Sequence, residues 1–200
     1  MTLKPQKPIL LIDMDGVFVG YYDLFLEIWK KKYPDRHWVK PEDLNHMYFE
    51  KCYPKEYTAD ILEITRDKGF FENLPPLPGA VEALKQILED DEFDAFLCST
   101  PDSDTMDHVG FTEKAISVEK HLGRAWLRKL ILTHDKTMVQ AHYLIDDKPD
   151  VKGIMDPTWD QIFFTHKYNA DNKGLRLNNW AEWPELKKQL LSTFGPLENF

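Results

Sequence analysis

The stretch Ile9-Leu10-Leu11-Ile12-Asp13-Met14-Asp15-Gly16 contains an uninterrupted apolar run that is followed at once by two carboxylates. An apolar run without alternation is typical of a central strand in a parallel sheet, because such a strand is buried on both faces. Residues two apart in an extended chain project to the same side, so Asp13 and Asp15 leave the strand end together. Open α/β sheets bind their ligands outside the carboxyl ends of the strands. The stretch therefore predicts a parallel sheet with a polar site at the end of its first strand.

Further apolar runs alternate with amphipathic helical patterns along the rest of the chain. Strands are predicted at residues 93–98, 130–132, 143–145 and 162–164, and helices at 80–88, 113–122 and 182–191. Strands that alternate with helices predict an α/β fold with a doubly wound parallel sheet.

Residues 22–68 interrupt this alternation. They contain helical patterns at 24–31 and 59–65, many aromatic residues and no strand pattern. We therefore expect residues 21–69 to form a small helical cap inserted into a catalytic core of residues 1–20 and 70–200. The proline-rich segment 74–78 is interpreted as a rigid connector that returns the chain to the core.

Composition and charge restrict the possible classes of function. The chain has 200 residues, of which 42% are hydrophobic, and this fits one compact domain with a modest insertion. Its formal net charge of −9 argues against binding to a nucleic-acid polymer, which requires clustered basic residues. The continuous apolar run before Asp13 has only four residues, Ile9 to Ile12, too few for a signal peptide or membrane span. With two cysteines, no disulfide framework or zinc pattern is possible, and we expect a cytoplasmic protein that does not bind membranes.

Each later strand also ends in polar groups that suit a phosphate site. Ser99 and Thr100 supply hydroxyls and backbone N–H groups, Lys136 supplies a cation, and Asp146 and Asp147 form a second carboxylate pair. Taken singly, each group has an ordinary interpretation as a turn, a helix cap or a solvated side chain. Their occurrence in order at successive strand ends favours one shared site.

Carboxylate oxygens gathered around one point are ligands that select Mg²⁺ rather than zinc. In such a site Asp13 can attack phosphorus, while Asp15 can protonate the leaving oxygen and then activate water. Lys136 and the metal can stabilise the developing negative charge. The residues therefore predict a phosphomonoesterase that forms an aspartyl-phosphate intermediate.

This motif series resembles that of the haloacid dehalogenase-like phosphatases, and more closely that of the 5′(3′)-deoxyribonucleotidases. The similarity covers nearly the whole chain and is carried by residues 13–17, 74–82, 132–137, 144–150 and 157–160. It implies a Mg²⁺-dependent enzyme that removes phosphate from nucleoside monophosphates, usually deoxypyrimidine ones. The resemblance also implies a homodimer as one option for the quaternary structure.

The resemblance assigns the metal and phosphate ligands residue by residue. It implies that the Asp13 carboxylate, the Asp15 backbone carbonyl and the Asp147 carboxylate hold the metal, with Asp146 directly behind them. Ser99 and Lys136 are then the residues that hold the phosphate.

The predicted cap departs from the pattern of the family at the nucleoside end. Tyr21 keeps one aromatic position, and Met47-Tyr48 falls on another. Three positions differ: Thr65 stands where Trp or Tyr is usual, Gly20 where Asp is usual, and His134 where Arg is usual. These differences leave the base and sugar preference open.

Two other functions fit the same fold. A phosphatase for another small phosphomonoester, such as a sugar phosphate, needs the same core residues and a different cap. A non-catalytic binding module predicts the loss of at least one of Asp13, Asp15, Lys136 and Asp147, and all four are present. Dehalogenation is disfavoured because that chemistry has no use for Asp15 or a metal site.

Overall fold

A computed structural model describes residues 7–101 and 109–194 of the chain. The strands in these residues are β1 (Ile9–Ile12), β2 (Asp94–Ser99), β3 (Leu130–Leu132), β4 (Tyr143–Asp146), β5 (Asp160–Phe164) and β6 (Leu175–Leu177). They form one sheet in the order β3-β2-β1-β4-β5-β6, and every neighbouring pair is parallel. The strand order reverses beside β1, which places the crevice for a ligand at the carboxyl ends of β1 and β4.

The helices are α1 (Tyr21–Lys32), α2 (Thr58–Thr65), α3 (Ala80–Asp90), α4 (Val109–Leu122), α5 (Arg124–Leu127) and α6 (Trp183–Thr193). Short 3₁₀ turns occur at Pro41–Asp43, Phe49–Cys52, Lys55–Tyr57, Lys136–Met138, Lys167–Asn169 and Trp180–Glu182. Only helices and 3₁₀ turns lie between β1 and α3 in the chain order, apart from single bridges at Val19.

The apolar run of β1 forms the centre of the sheet because β1 pairs with β2 on one side and β4 on the other. Leu10 and Ile12 belong to the large apolar cluster on one face, whereas Leu11 belongs to a smaller cluster with Leu144 on the other. These four side chains are fully buried. Burial on both faces is the reason why this strand has no polar alternation.

The aromatic residues of segment 21–65 pack mainly on one another. The rings of Phe25 and Phe49 have centroids 4.4 Å apart, and Trp29 and Tyr53 lie 5.5 Å apart. The Tyr22 and Tyr53 hydroxyls are 2.6 Å apart, so the polar tips of these rings satisfy each other. These rings belong to the same large apolar cluster as Leu10 and Ile12 of β1, so the segment packs continuously with one face of the sheet.

The predicted fold class is confirmed by the parallel sheet and its helices. The predicted strands and helices are present with shifted ends, and α4 begins at Val109, four residues before the predicted Glu113. β6 was not predicted, since Arg176 interrupts the short apolar run that β3, of the same length, keeps unbroken. The division into a core and a cap at residues 21–69 stays a prediction. Within the described residues, no helix combines the length and apolar character that crossing a membrane requires.

The loop after β1 is fixed to the C-terminal part of the chain by one buried hydrogen bond. The Trp180 indole N–H donates to the Val17 carbonyl oxygen at 2.8 Å, and Trp180 is 2% exposed. Asp13 and Asp15 lie in the same loop, so this bond between distant parts of the sequence also helps to hold their backbone in place.

We expect Trp180→Phe to lower the free energy of unfolding by about 1–3 kcal/mol, because the buried Val17 carbonyl loses its donor. Urea unfolding followed by circular dichroism measures the change. Trp38→Phe is the matched control, since Trp38 is 37% exposed and a surface change should cost less than about 0.5 kcal/mol. Equal losses in both variants would contradict the role assigned to this hydrogen bond.

Candidate active site

Three carboxylates meet where β1 and β4 end. The ligand oxygens of Asp13, Asp146 and Asp147 lie within 4.8 Å of one another, and all three side chains are buried. The strand pairing explains the cluster, because the Asp13 N–H donates to the Ile145 carbonyl oxygen at 2.9 Å. Adjacent parallel strands thus deliver the Asp-x-Asp and Asp-Asp motifs to one point.

Lys136 lies between two of these carboxylates. Its Nζ is 2.8 Å from Asp13 Oδ1 and 2.5 Å from Asp146 Oδ2, and the side chain is 2% exposed. The preceding Asp135 side chain accepts a hydrogen bond from the Thr137 N–H, which starts the 3₁₀ turn that directs Lys136 inward. Burial disfavours the ammonium, but Asp13 and Asp146 outweigh this and raise the pKa of Lys136, so the side chain stays charged.

Asp146, the last residue of β4, and the adjacent Asp147 have raised pKa values, whereas the pKa of Asp13 is lowered. Burial raises the pKa of Asp147 well above its usual range, and Asp146 and Asp13 add to this by repulsion. Burial acts on Asp13 in the same direction, but Lys136, Lys148 and Lys114 outweigh it and lower the pKa of Asp13. Among these three carboxylates, Asp13 is therefore the one that loses its proton most readily.

The carboxylate cluster fits a divalent cation such as Mg²⁺. Its three donors are hard oxygen ligands, and one of them, Asp147, is held near two other acids whose repulsion a cation would relieve. Gly16 is needed beside it, since a Cβ there would lie 2.7 Å from Asp147 Oδ2 and the residue has φ +76°. The loop thus leaves room directly against the cluster.

Lys114 is a residue of the site that the sequence did not reveal. It lies on α4, is 1% exposed, and its Nζ contacts Asp15 Oδ2 at 2.5 Å and Ser99 Oγ at 2.9 Å. Burial raises the pKa of Asp15, and Lys114 opposes part of this rise, so the balance leaves the pKa above its usual value. A lysine within an amphipathic helix pattern resembles a solvated side chain, so the sequence contains no signal that distinguishes it.

Residues after β5 hold Asp147 from the other side, and these were also missed. The Tyr168 hydroxyl donates to Asp147 Oδ2, and the Asn169 side-chain amide donates to the Asp147 backbone carbonyl at 2.8 Å. His166 Nε2 donates to the Gly16 carbonyl oxygen at 2.7 Å, with its ring stacked on that of Tyr168. These contacts fix the orientation of a carboxylate that could bind metal.

A cavity of about 560 Å³ opens above the carboxylates. Its lining includes most of the predicted site residues, namely Asp13, Asp15, Tyr21, Met47, Ser99, Thr100 and Asp147, and also the divergent positions Gly20, Thr65 and His134. Lys136 and Asp146 lie behind Asp13, so they support the floor of the cavity. Direct contact between Lys136 and a phosphate stays a prediction.

Segment 21–71 supplies a side wall of the cavity. Five rings of this segment, which we call the aromatic wall, line the cavity beside the charged side chains of Asp23, Glu50 and Arg66; the rings are those of Tyr21, Tyr22, Tyr48, Phe49 and Phe71. Tyr21 packs against Phe49, Phe70 and Phe71 with ring centroids 5.2–5.9 Å apart. Thr65, which is buried, adds a small side chain to the lining, so this part of the wall has no ring. The cavity therefore combines a charged floor with a side wall of aromatic, aliphatic and charged side chains.

Comparison with known proteins agrees with this geometry. Residues 7–190 match the family described as 5′ nucleotidase, deoxy (pyrimidine), cytosolic type C. The mitochondrial 5′(3′)-deoxyribonucleotidase of Mus musculus is 36% identical over 181 residues, covering 86% of this chain and 81% of the mouse protein. The cytosolic type from Homo sapiens is 31% identical over 186 residues, covering 88% of this chain and 92% of the human protein.

Solved structures show the same architecture at lower sequence identity. A HAD family hydrolase from Deinococcus radiodurans R1, which was crystallised with phosphate and sodium, matches with a TM-score of 0.57 and 14% identity. The match covers 94% of this chain and 99% of the other, and it supports the fold alone. Because the family match and the two deoxyribonucleotidases cover most of its length, the chain belongs to the 5′(3′)-deoxyribonucleotidase family of haloacid dehalogenase-like phosphatases and is a phosphoric monoester hydrolase.

Proposed function

We propose that this enzyme hydrolyses nucleoside monophosphates, preferentially deoxypyrimidine ones, with Mg²⁺ and through an aspartyl phosphate on Asp13. The observation that supports this most strongly is that Asp13 and Asp15 line the same cavity as the aromatic rings of Tyr21 and Phe71. The floor suits a phosphate group and a cation, and the wall suits the planar base of a nucleoside.

Asp13 and Asp147 would hold Mg²⁺ through their carboxylates, together with the Asp15 backbone carbonyl, while Asp146 supports them from behind. When bound, the ion would neutralise charge on the phosphate oxygens. The lowered pKa of Asp13 keeps its carboxylate ionised and able to act as a nucleophile.

Asp13 attacks phosphorus, so that a bond forms between its carboxylate oxygen and phosphorus while the ester P–O bond breaks. Asp15 gives its proton to the departing oxygen, and the raised pKa of Asp15 suits this donation. Asp15 then takes a proton from water as the water attacks the aspartyl phosphate. Inorganic phosphate leaves, and both aspartates return to their starting state.

Two buried lysines divide the positive charge around these groups. Lys136 keeps Asp13 ionised and in place, since it contacts Asp13 and Asp146. Lys114 contacts Asp15 and Ser99, which places its charge where the phosphate and the leaving oxygen would lie. We therefore propose that Lys114 joins Ser99, Thr100 and Lys136 in binding the phosphate.

We also propose a cytoplasmic location and a small-molecule substrate, in agreement with the acidic net charge and with two cysteines that are both free thiols. Assembly into a homodimer stays a prediction.

Asp13→Asn should abolish turnover while the protein stays folded, because the amide cannot attack phosphorus and is nearly the same size. Excess chelator should likewise stop the native enzyme, and added Mg²⁺ should restore it. Phosphate release from dUMP measures both effects, and circular dichroism is the control for folding. Beryllium fluoride, which mimics an aspartyl phosphate, should bind the native chain with Mg²⁺. Full activity of Asp13→Asn or of the chelated enzyme would falsify the mechanism.

Asp15→Asn should keep Mg²⁺ binding, since only the backbone carbonyl of residue 15 is assigned to the metal. Turnover of a nucleotide should fall by at least about 10²-fold, which is the usual contribution of a positioned acid–base. An activated aryl phosphate should be less affected in its first step, because a good leaving group needs no proton. Burst kinetics with both substrates measures this difference. If good and poor leaving groups suffer the same loss, Asp15 is not the acid.

The side wall of the cavity predicts the substrate preference. Tyr21 is close enough to the catalytic loop to pack on a bound sugar or base, and an unpaired 2′-hydroxyl buried against its ring costs about 1–3 kcal/mol. We expect dUMP and dTMP to be hydrolysed about tenfold faster than UMP, with some activity on other phosphomonoesters because Thr65 leaves the wall open. Initial rates for dUMP, UMP, dGMP and a sugar phosphate at one Mg²⁺ concentration measure this. If the sugar phosphate is hydrolysed fastest, the nucleotide assignment is wrong and the phosphatase assignment stands.

A further inference from the structure

Glu113 is a buried carboxylate that has no part in the reaction scheme above. It lies on α4 and is 4% exposed. Its Oε1 accepts the Gly69 N–H at 2.5 Å, and its Oε2 accepts the N–H groups of Phe71 at 3.0 Å and Glu72 at 3.4 Å. Three main-chain donors around one carboxylate form an anion-binding nest, and hydrogen bonds to a charged acceptor are stronger than neutral ones.

The backbone of residues 69–73 is shaped to make these contacts. Gly69 has φ +92°, a conformation that favours glycine, and its carbonyl oxygen accepts the Asn73 side-chain amide at 2.8 Å. Two turns along α4 from Glu113, Lys120 Nζ lies 3.5 Å from the Glu72 carbonyl oxygen and 3.2 Å from Asn73 Oδ1. Helix α4 therefore holds residues 69–73 at two places: Glu113 accepts from their backbone N–H groups, and Lys120 donates to their oxygen atoms.

The segment held in this way carries part of the cavity wall. The Phe71 ring is 3% exposed, lines the cavity, and has its centroid 5.8 Å from that of Tyr21. Lys114 Nζ, the cation that contacts Asp15, lies 5.3 Å from the centroid of the same Phe71 ring. Phe71 thus stands between the aromatic wall and the phosphate end.

We infer that Glu113 is a positioning residue that sets the distance between the aromatic wall and the phosphate end of the cavity. It does so by fixing the backbone at Phe71, while the next residue of the same helix, Lys114, is fixed to Asp15 and Ser99. Glu113 touches no substrate in this scheme and acts through Phe71. The inference rests on the proposed function, because a nucleoside is the part of the substrate that would contact this wall.

Glu113→Gln in the full chain tests the inference. Glutamine has one acceptor oxygen and places an amide N–H₂ group against main-chain donors, so the nest is broken while the size is kept. We expect the KM for dUMP to rise about tenfold, because small displacements of a binding wall have large effects on positioning. The inhibition constant of inorganic phosphate, which has no nucleoside, should change by less than about twofold. Parallel changes in both constants, or no change in either, overturn the inference.

A double-mutant cycle with Phe71→Leu shows whether Glu113 acts through Phe71. In the Phe71→Leu background, Glu113→Gln should alter the KM for dUMP by less than about twofold. A second full tenfold rise would show independent action and overturn the inference. Glu119→Gln makes the same chemical change on the exposed face of α4, where Glu119 pairs with Arg124 and does not contact residues 69–73, and it is the matched control, with an expected change below about twofold.

Glu113→Asp provides the test if the glutamine variant does not fold. Aspartate keeps the charge but is one methylene shorter, so it cannot reach all three N–H groups, and its KM for dUMP should lie between those expected for the wild type and Glu113→Gln. A wild-type KM in a folded Glu113→Asp chain overturns the inference. If the wild-type chain hydrolyses no nucleotide, the proposed function itself is contradicted, and this inference fails with it.

Discussion

The balance of buried charge at the ends of β1 and β4 is the constraint on which the rest of the site depends. Carboxylates removed from water are tolerated only when cations or donors compensate them. Lys136 compensates Asp13 and Asp146 directly, and Lys114 compensates Asp15. The two lysines do not compensate Asp147, whose pKa is raised by burial and by the neighbouring Asp146 and Asp13, and a divalent cation would favour its charged form. The arrangement of lysines and carboxylates that keeps these acids buried therefore also suits a metal ion and a phosphate group.

This constraint explains which parts of the site could be predicted from the sequence. Asp13, Asp15, Asp146 and Asp147 follow apolar runs directly, and an apolar run without alternation already indicates a buried parallel strand. Neighbouring strand ends then bring the motifs together without any further information about packing. Ser99 was found by the same reasoning, because it closes β2. Positions fixed by the local order of strand and loop are therefore readable from one sequence.

Lys114, Glu113 and Tyr168 could not be predicted because their contacts join distant parts of the chain. Lys114 is separated from Asp15 by 99 residues and Glu113 from Gly69 by 44, and neither lies next to an apolar run that ends in a polar motif. On a helix, a buried lysine and an exposed one have the same sequence pattern, since burial depends on which face meets the sheet. The short strand β6 was missed for a different reason: Arg176 lies at its centre, so its three residues form no continuous apolar run.

The floor and the side wall of the cavity are held in place by different interactions. The floor is fixed by buried charges that depend on one another, so a change in any of them leaves another charge without compensation. The wall is fixed by packing, which accepts changes of size more readily. Gly20 shows the limit of this freedom, because a Cβ built there would overlap the Asp23 carboxylate, which also lines the cavity, so a larger residue at position 20 requires the Asp23 side chain to move. A carboxylate is thus present near this rim although residue 20 has no side chain. The wall can therefore change its residues, and with them the preferred nucleoside, while the phosphate chemistry of the floor is retained.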